Sequence, residues 1–175
     1  MRLYLSSYGL GNKSELLIKL VGIKNKHAGV IGNASDFTPN KEERSQKIQR
    51  EINNLNALGF IAQEIDLRKY FNNKDGLKEL ISSLGLVWVK GGNALILQRA
   101  FEQSGFNKII KDLTKEDKIV YAGYSAGICV ITPTLKGVEI VDDKNIVPDG
   151  YKKDFNWEGL HLIDYNVAMH YQSDH

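Results

Sequence analysis

Ile119-Val120-Tyr121-Ala122-Gly123-Tyr124-Ser125-Ala126-Gly127-Ile128 decides the reading of this chain. A short β-branched run stops at a serine that has one glycine two residues before it and another two residues after, and a small-residue apolar segment follows. This is the pattern of a nucleophile elbow. A strand that turns directly into a helix holds its apex residue in a strained conformation, and glycines on either side let neighbouring backbone pass closely. The pattern predicts that the Ser125 hydroxyl stands above the carboxyl end of its strand, with the amide of Ala126 facing any oxyanion formed there. Gly-x-Ser-x-Gly also occurs in ordinary glycine-rich turns. The strand before it and the apolar run after it are the context the motif requires.

Outward from the elbow, short apolar runs alternate with amphipathic ones. Strands are predicted over residues 3–6, 27–31, 60–65 and 86–89, and helices over 14–20, 41–58, 77–83, 94–103 and 106–113. Asn12 or Ser14 caps the first helix in this reading, and Gly59 ends the second. Such alternation implies βαβ units and an α/β domain whose parallel sheet is covered on both faces. Loops at the carboxyl ends of parallel strands gather on one edge, which brings the Asn33 loop, the Gly91-Gly92 loop and Ser125 together. Residues 139–157 read as a loop or a β excursion, and residues 160–163 and 165–169 as two further strands.

Composition narrows the function. The chain has 175 residues, enough for one domain, and a formal net charge of +2 with no long basic run, which speaks against nucleic acid as a partner. The basic cluster from Lys41 to Arg50 is interleaved with Glu42 and Glu43 and followed by Glu51, and reads as a solvated helix face. The single cysteine, Cys129, precludes a disulfide framework and reads as a core thiol. No stretch has the length of a membrane span and the start does not read as a signal peptide, so the expected location is the cytoplasm.

A serine hydroxyl needs an adjacent base, usually histidine. Of the four histidines, His27 opens a strand, His161 sits within Leu160-His161-Leu162 and His175 is terminal, while His170 emerges at a predicted strand end. His170 is therefore the candidate base. Val89-Lys90-Gly91-Gly92-Asn93 places paired glycines between a strand and a helix, where main-chain amides can approach an anion. It lacks the third spaced glycine and the following acidic residue of a dinucleotide loop.

With these motifs in place the chain resembles the peptidase E and cyanophycinase family of serine peptidases. The resemblance runs in order through Leu3-Tyr4-Leu5-Ser6-Ser7, Gly32-Asn33-Ala34-Ser35-Asp36, Ile65-Asp66-Leu67-Arg68, Gly91-Gly92-Asn93, Gly123-Tyr124-Ser125-Ala126-Gly127, Pro133-Thr134, and Gly159-Leu160 through His170-Tyr171. It implies a three-layer α/β/α sandwich with a flavodoxin-like, mostly parallel sheet, similar to class I glutamine amidotransferases. It implies Ser125 as nucleophile, His170 as general base, and the amides of Gly92 and Ala126 as oxyanion hole. Gly91, Asn93 and Tyr124 are expected at the substrate. The acidic third residue falls to Asp142 or Asp143, with Glu139 and Asp149 in reserve.

The expected reaction is hydrolysis of small peptides, dipeptides with an N-terminal aspartate among them, without metal or cofactor. Another acyl hydrolase, an esterase or a cyanophycinase-type enzyme, is the alternative, and a non-catalytic binding protein of the same fold is the rival from another class. Departures from the family are Ala94 where threonine is usual and Ala168-Met169 where a proline precedes the histidine. The family's chains continue past the His-Tyr motif with further strands and a helix, which this chain is expected to lack. An uncovered strand at 165–169 would then invite pairing between copies, most simply a homodimer.

Overall fold

The computed structural model describes residues 1–170; Tyr171 and His175 lie outside the described residues. Five strands form one sheet: β1 (Arg2–Ser6), β2 (His27–Ile31), β3 (Ile61–Glu64), β4 (Leu86–Val89) and β5 (Val120–Tyr124). Their order is β1-β5-β4-β2-β3, and every neighbouring pair is parallel. β4 and β5 are buried throughout, which is why they read as unbroken apolar runs instead of alternating ones.

Successive side chains leave the sheet on opposite faces. Ala28, Val30, Leu86, Trp88, Val120, Ala122 and Tyr124 join one core with α1 (Ser14–Val21) and α2 (Lys41–Ala57). Ile31, Val87, Val89 and Tyr121 join the other, beneath α3 (Leu77–Ser82), α4 (Ala94–Ser104) and α5 (Phe106–Lys115). The result is the three-layer α/β/α arrangement. A last helix, α6 (Ala126–Cys129), is a single turn that continues β5.

The start of α2 is written locally: Asn40 Oδ1 accepts from the amides of Glu42 and Glu43 at 2.9 and 3.2 Å. The start of α1 is not, because Lys13, rather than Asn12 or Ser14, holds the cap position and makes no side-chain capping bond. One residue of the basic cluster also departs from the solvated-face reading. Arg44 turns inward, pairing with Asp36 and, at 3.0 Å, with Glu64.

The sheet's switch point lies between β2 and β4, since β2 is followed outward by β3 while β4 leads back to β5. Open α/β sheets bind ligands beyond the carboxyl ends of strands at such a point. The Asn33 and Lys90-Gly91-Gly92 loops meet there, joined by Asn93 N–H to Ala34 O at 2.8 Å.

Beyond α6 the predicted strands at 160–163 and 165–169 are absent, and the backbone is irregular. The reason is visible in the bonding. Leu160 N–H goes to Val130 O at 2.7 Å, His161 N–H to Thr132 O, and the amides of both Leu162 and Ile163 to Ile131 O, so the segment grips a turn and forms no ladder. The edge on which pairing between copies was to rest is thus not a strand, and Tyr165 is 64% exposed. Residues 139–157 form a loop with one 3₁₀ turn at Val138–Ile140. It is tied to α4 by Arg99, whose guanidinium donates to Lys144 O at 2.8 Å and Lys153 O at 3.0 Å.

Candidate active site

Ser125 sits at the tip of β5 with φ 49° and ψ −114°, left-handed backbone that an L-residue adopts only when its surroundings demand it. The demand comes from Val89. A Cβ on Gly123 would stand 2.8 Å from the Val89 carbonyl oxygen, and one on Gly127 2.6 Å from the same atom. Only two glycines let β5 and α6 pass β4 this closely. Tyr121, buried beneath the turn, donates its hydroxyl to Gly127 O at 2.6 Å and pins the far side of the elbow.

His170 Nε2 lies 3.1 Å from Ser125 Oγ. His170 too has positive φ, 56°, so its imidazole reaches the serine from an irregular segment and not from the strand end expected for it. His161 is elsewhere, 3.1 Å from Asp164 on the surface, and His27 is exposed at the start of β2. Ser125, His170, Gly92 and Ala126 line one cavity of about 620 Å³. Neither the Gly92 nor the Ala126 amide donates to another described residue. The remaining wall is largely apolar, with Val138, Val141, Val167 and Met169, and it carries one cation, Lys136.

Among the acidic candidates, Asp142 lines this cavity, while Asp143 does not. Asp142 Oδ2 accepts from Ala94 N–H at 2.7 Å, at the start of α4, and burial raises its pKa against the lowering effect of that bond. Asp143 turns back on its own loop, accepting from Asn145 N–H at 2.9 Å. Glu139 accepts from Gly137 N–H at 2.6 Å, and Asp149 is exposed. Cys129 lines the cavity, with its thiol pushed up by burial to about 11, so it remains protonated near neutrality and is no rival nucleophile.

Three residues expected at the substrate lie outside the residues that line this cavity and make the following contacts. Tyr124 points into the opposite core, where it is 4% exposed and donates to Glu51 Oε1 at 2.9 Å. Asn93 caps α4, its side chain accepting from Ile96 N–H at 2.9 Å. Gly91 does not line the cavity, and a Cβ there would meet the Tyr124 ring at 2.7 Å and Ser125 Cβ at 3.0 Å. Sequence reasoning missed Lys90, Glu51 and the pairing of Asp36 with Tyr151, whose polar groups are buried against partners distant in the chain. Only the lysine and the glutamate carry a local signal, a charge within an otherwise buried stretch.

A serine on an elbow above a parallel α/β sheet, within hydrogen-bonding distance of an imidazole, is the arrangement of serine hydrolases that transfer acyl groups. The chain belongs to peptidase family S51, whose family model matches residues 11–175, and it is a serine-type peptidase. Its fold is that of a Listeria monocytogenes EGD-e protein provisionally assigned as a peptidase E, with a TM-score of 0.76 and 20% identity over 98% of this chain and 80% of that one. A peptidase from an acI-B1 actinobacterium is also similar, with a TM-score of 0.57 and 17% identity over 90% of this chain and 63% of that one. No curated protein matches. Among the described residues no helix is long and apolar enough to cross a membrane.

Proposed function

We propose that Ser125 is the nucleophile that attacks the scissile carbonyl of a small peptide and that His170 Nε2 takes its proton and returns it to the leaving amine. The acyl-enzyme is then opened by water, activated by the same imidazole. The amides of Gly92 and Ala126 receive the oxyanion, a role supported by both residues lining the cavity with Ser125 and by neither amide donating to another described residue. The third, acidic role goes to Asp142, the candidate on the cavity wall. No step draws on a metal or cofactor. The observation that carries this reading is the 3.1 Å approach of His170 Nε2 to a serine held at positive φ.

The finer substrate is a dipeptide-sized molecule with an N-terminal aspartate. Its support is the family resemblance, a cavity in the usual range for small ligands, and Lys136 as the cation an acidic side chain would seek. The test is hydrolysis of aspartyl dipeptides together with labelling by a fluorophosphonate probe. The parent and His161→Gln should hydrolyse and label, whereas Ser125→Ala and His170→Gln should lose turnover by roughly 10⁴-fold or more. Hydrolysis that survives Ser125→Ala, or is lost in a folded His161→Gln, overturns the assignment.

A further inference from the structure

Lys90 follows β4 directly and is 7% exposed, a costly place for an ammonium group. Its Nζ donates to Ser35 Oγ at 2.9 Å and to Gly91 O at 2.9 Å. The second bond matters because the Gly91 carbonyl and the Gly92 N–H belong to one rigid peptide plane, so whatever holds the oxygen aims the hydrogen. Neither glycine has a side chain of its own to do this. A Cβ on Gly92, where φ is 148°, would meet Ala34 O at 2.4 Å, and Gly91 is confined by Tyr124 and Ser125.

We propose that Lys90 is a positioning residue for the oxyanion hole, holding the Gly91–Gly92 peptide so that the Gly92 N–H points at the charge that develops beside Ser125. This rests on the reading of Gly92 as an oxyanion donor. A charge-assisted bond to the carbonyl also polarises the peptide and strengthens donation from its N–H. The cation thereby acts on the reacting oxygen without touching substrate.

The charges around Lys90 make its protonation labile. α2 presents Glu51, which favours the ammonium, and Lys47, Arg50 and Arg44, which oppose it. Glu51 is itself held by Tyr124 of β5 and by Trp88 of β4, and on the turn that supplies Ser35, Asp36 is paired with Arg44. Burial is the largest effect, and the amine is pushed down to about 8. The ammonium is present below that pH and lost above it, so Ser125 reactivity gains an alkaline limb.

The experiment follows the Gly92 amide by ¹⁵N–¹H NMR and the rate of Ser125 labelling by a fluorophosphonate, both against pH. The Gly92 signal is expected to titrate near pH 8 with the labelling rate falling in parallel. Lys90→Met should abolish both steps and lower kcat by roughly 10- to 100-fold with little change in KM, less than the roughly 10²- to 10³-fold for deleting an oxyanion donor. Ser35→Ala, which removes one acceptor from the ammonium, should move the midpoint to lower pH, and it serves if Lys90→Met does not fold. A Gly92 signal that ignores pH, or a midpoint indifferent to both variants, overturns the proposal. Titration of Gly92 as expected but with no labelling of Ser125 at any pH leaves the coupling standing and removes its catalytic meaning along with the hydrolase assignment.

Discussion

Val89 O is the atom against which the elbow is built, because a Cβ on either flanking glycine would enter its van der Waals radius. A backbone oxygen at the end of β4, the central strand of a five-stranded sheet, cannot retreat as a flexible side chain would. Gly127→Ala, with a 2.6 Å clash to relieve, should therefore lower stability by about 1–3 kcal/mol. It should also lose probe labelling, since the turn that holds Ser125 at φ 49° would have to move away from β4. Chemical denaturation and labelling measured on the same preparation check both. A variant as stable and as reactive as the parent would mean that the closeness of β4 and α6 is not what shapes the elbow.

At the scale of elements, the start of α4 has two acceptors of different origin. Asn93 bonds Ile96 N–H from its own chain position, and Asp142 reaches in from a loop 48 positions away to bond Ala94 N–H. Burial raises the Asp142 pKa, so the folded state binds this proton more tightly than the unfolded chain does. The sign follows: relative to Asp142→Asn, the parent is favoured at acid pH and loses that advantage as pH rises through the carboxylate range. Thermal melts of the two proteins should thus diverge toward neutrality, the Asn variant being the more stable there because an amide oxygen can still accept from Ala94. The same variant reads out the catalytic role, since loss of turnover in a better-folded protein is what a triad carboxylate requires. Melts that run parallel at all pH values would show that this carboxylate pays no desolvation cost.

For the molecule as a whole, Tyr151 closes the long loop over the sheet edge. It is buried, donates its hydroxyl to the Asp36 carboxylate, accepts from Asn33 Nδ2 at 3.3 Å and packs edge-on against Phe71 at 5.0 Å between ring centres. Asp36 in turn holds Arg44 of α2, so one tyrosine links the 139–157 loop, the switch-point loop and a helix on the opposite face. Tyr151→Phe keeps the ring and removes the hydroxyl, which should cost about 1–3 kcal/mol because Asp36 loses a buried donor. Hydrogen exchange should show the amides of Tyr151 and Asn156 losing protection before those of β4. Equal protection in both proteins would mean that the bonds between the loop and α4 hold it without the Tyr151 hydroxyl.

The sequence by itself determined the alternation of strands and helices, the parallel sheet and the elbow, because each is a pattern of neighbours: apolar periods, a helix-ending Gly59, glycines two residues either side of Ser125. It also pointed to His170, although by way of a strand that does not form. Residues 160–163 have the apolar content of a strand, but their amides are taken up by the turn at 130–132, and no residue pattern announces a partner that is a turn. Which acid lines the cavity, that Tyr124 faces away from it, and that Lys90 grips the Gly91 carbonyl were decided only by tertiary structure. Those are matters of which face of the sheet a side chain leaves by and of which loops the topology brings to the switch point, and contacts spanning 73 or 115 positions have no signature in a local stretch of chain.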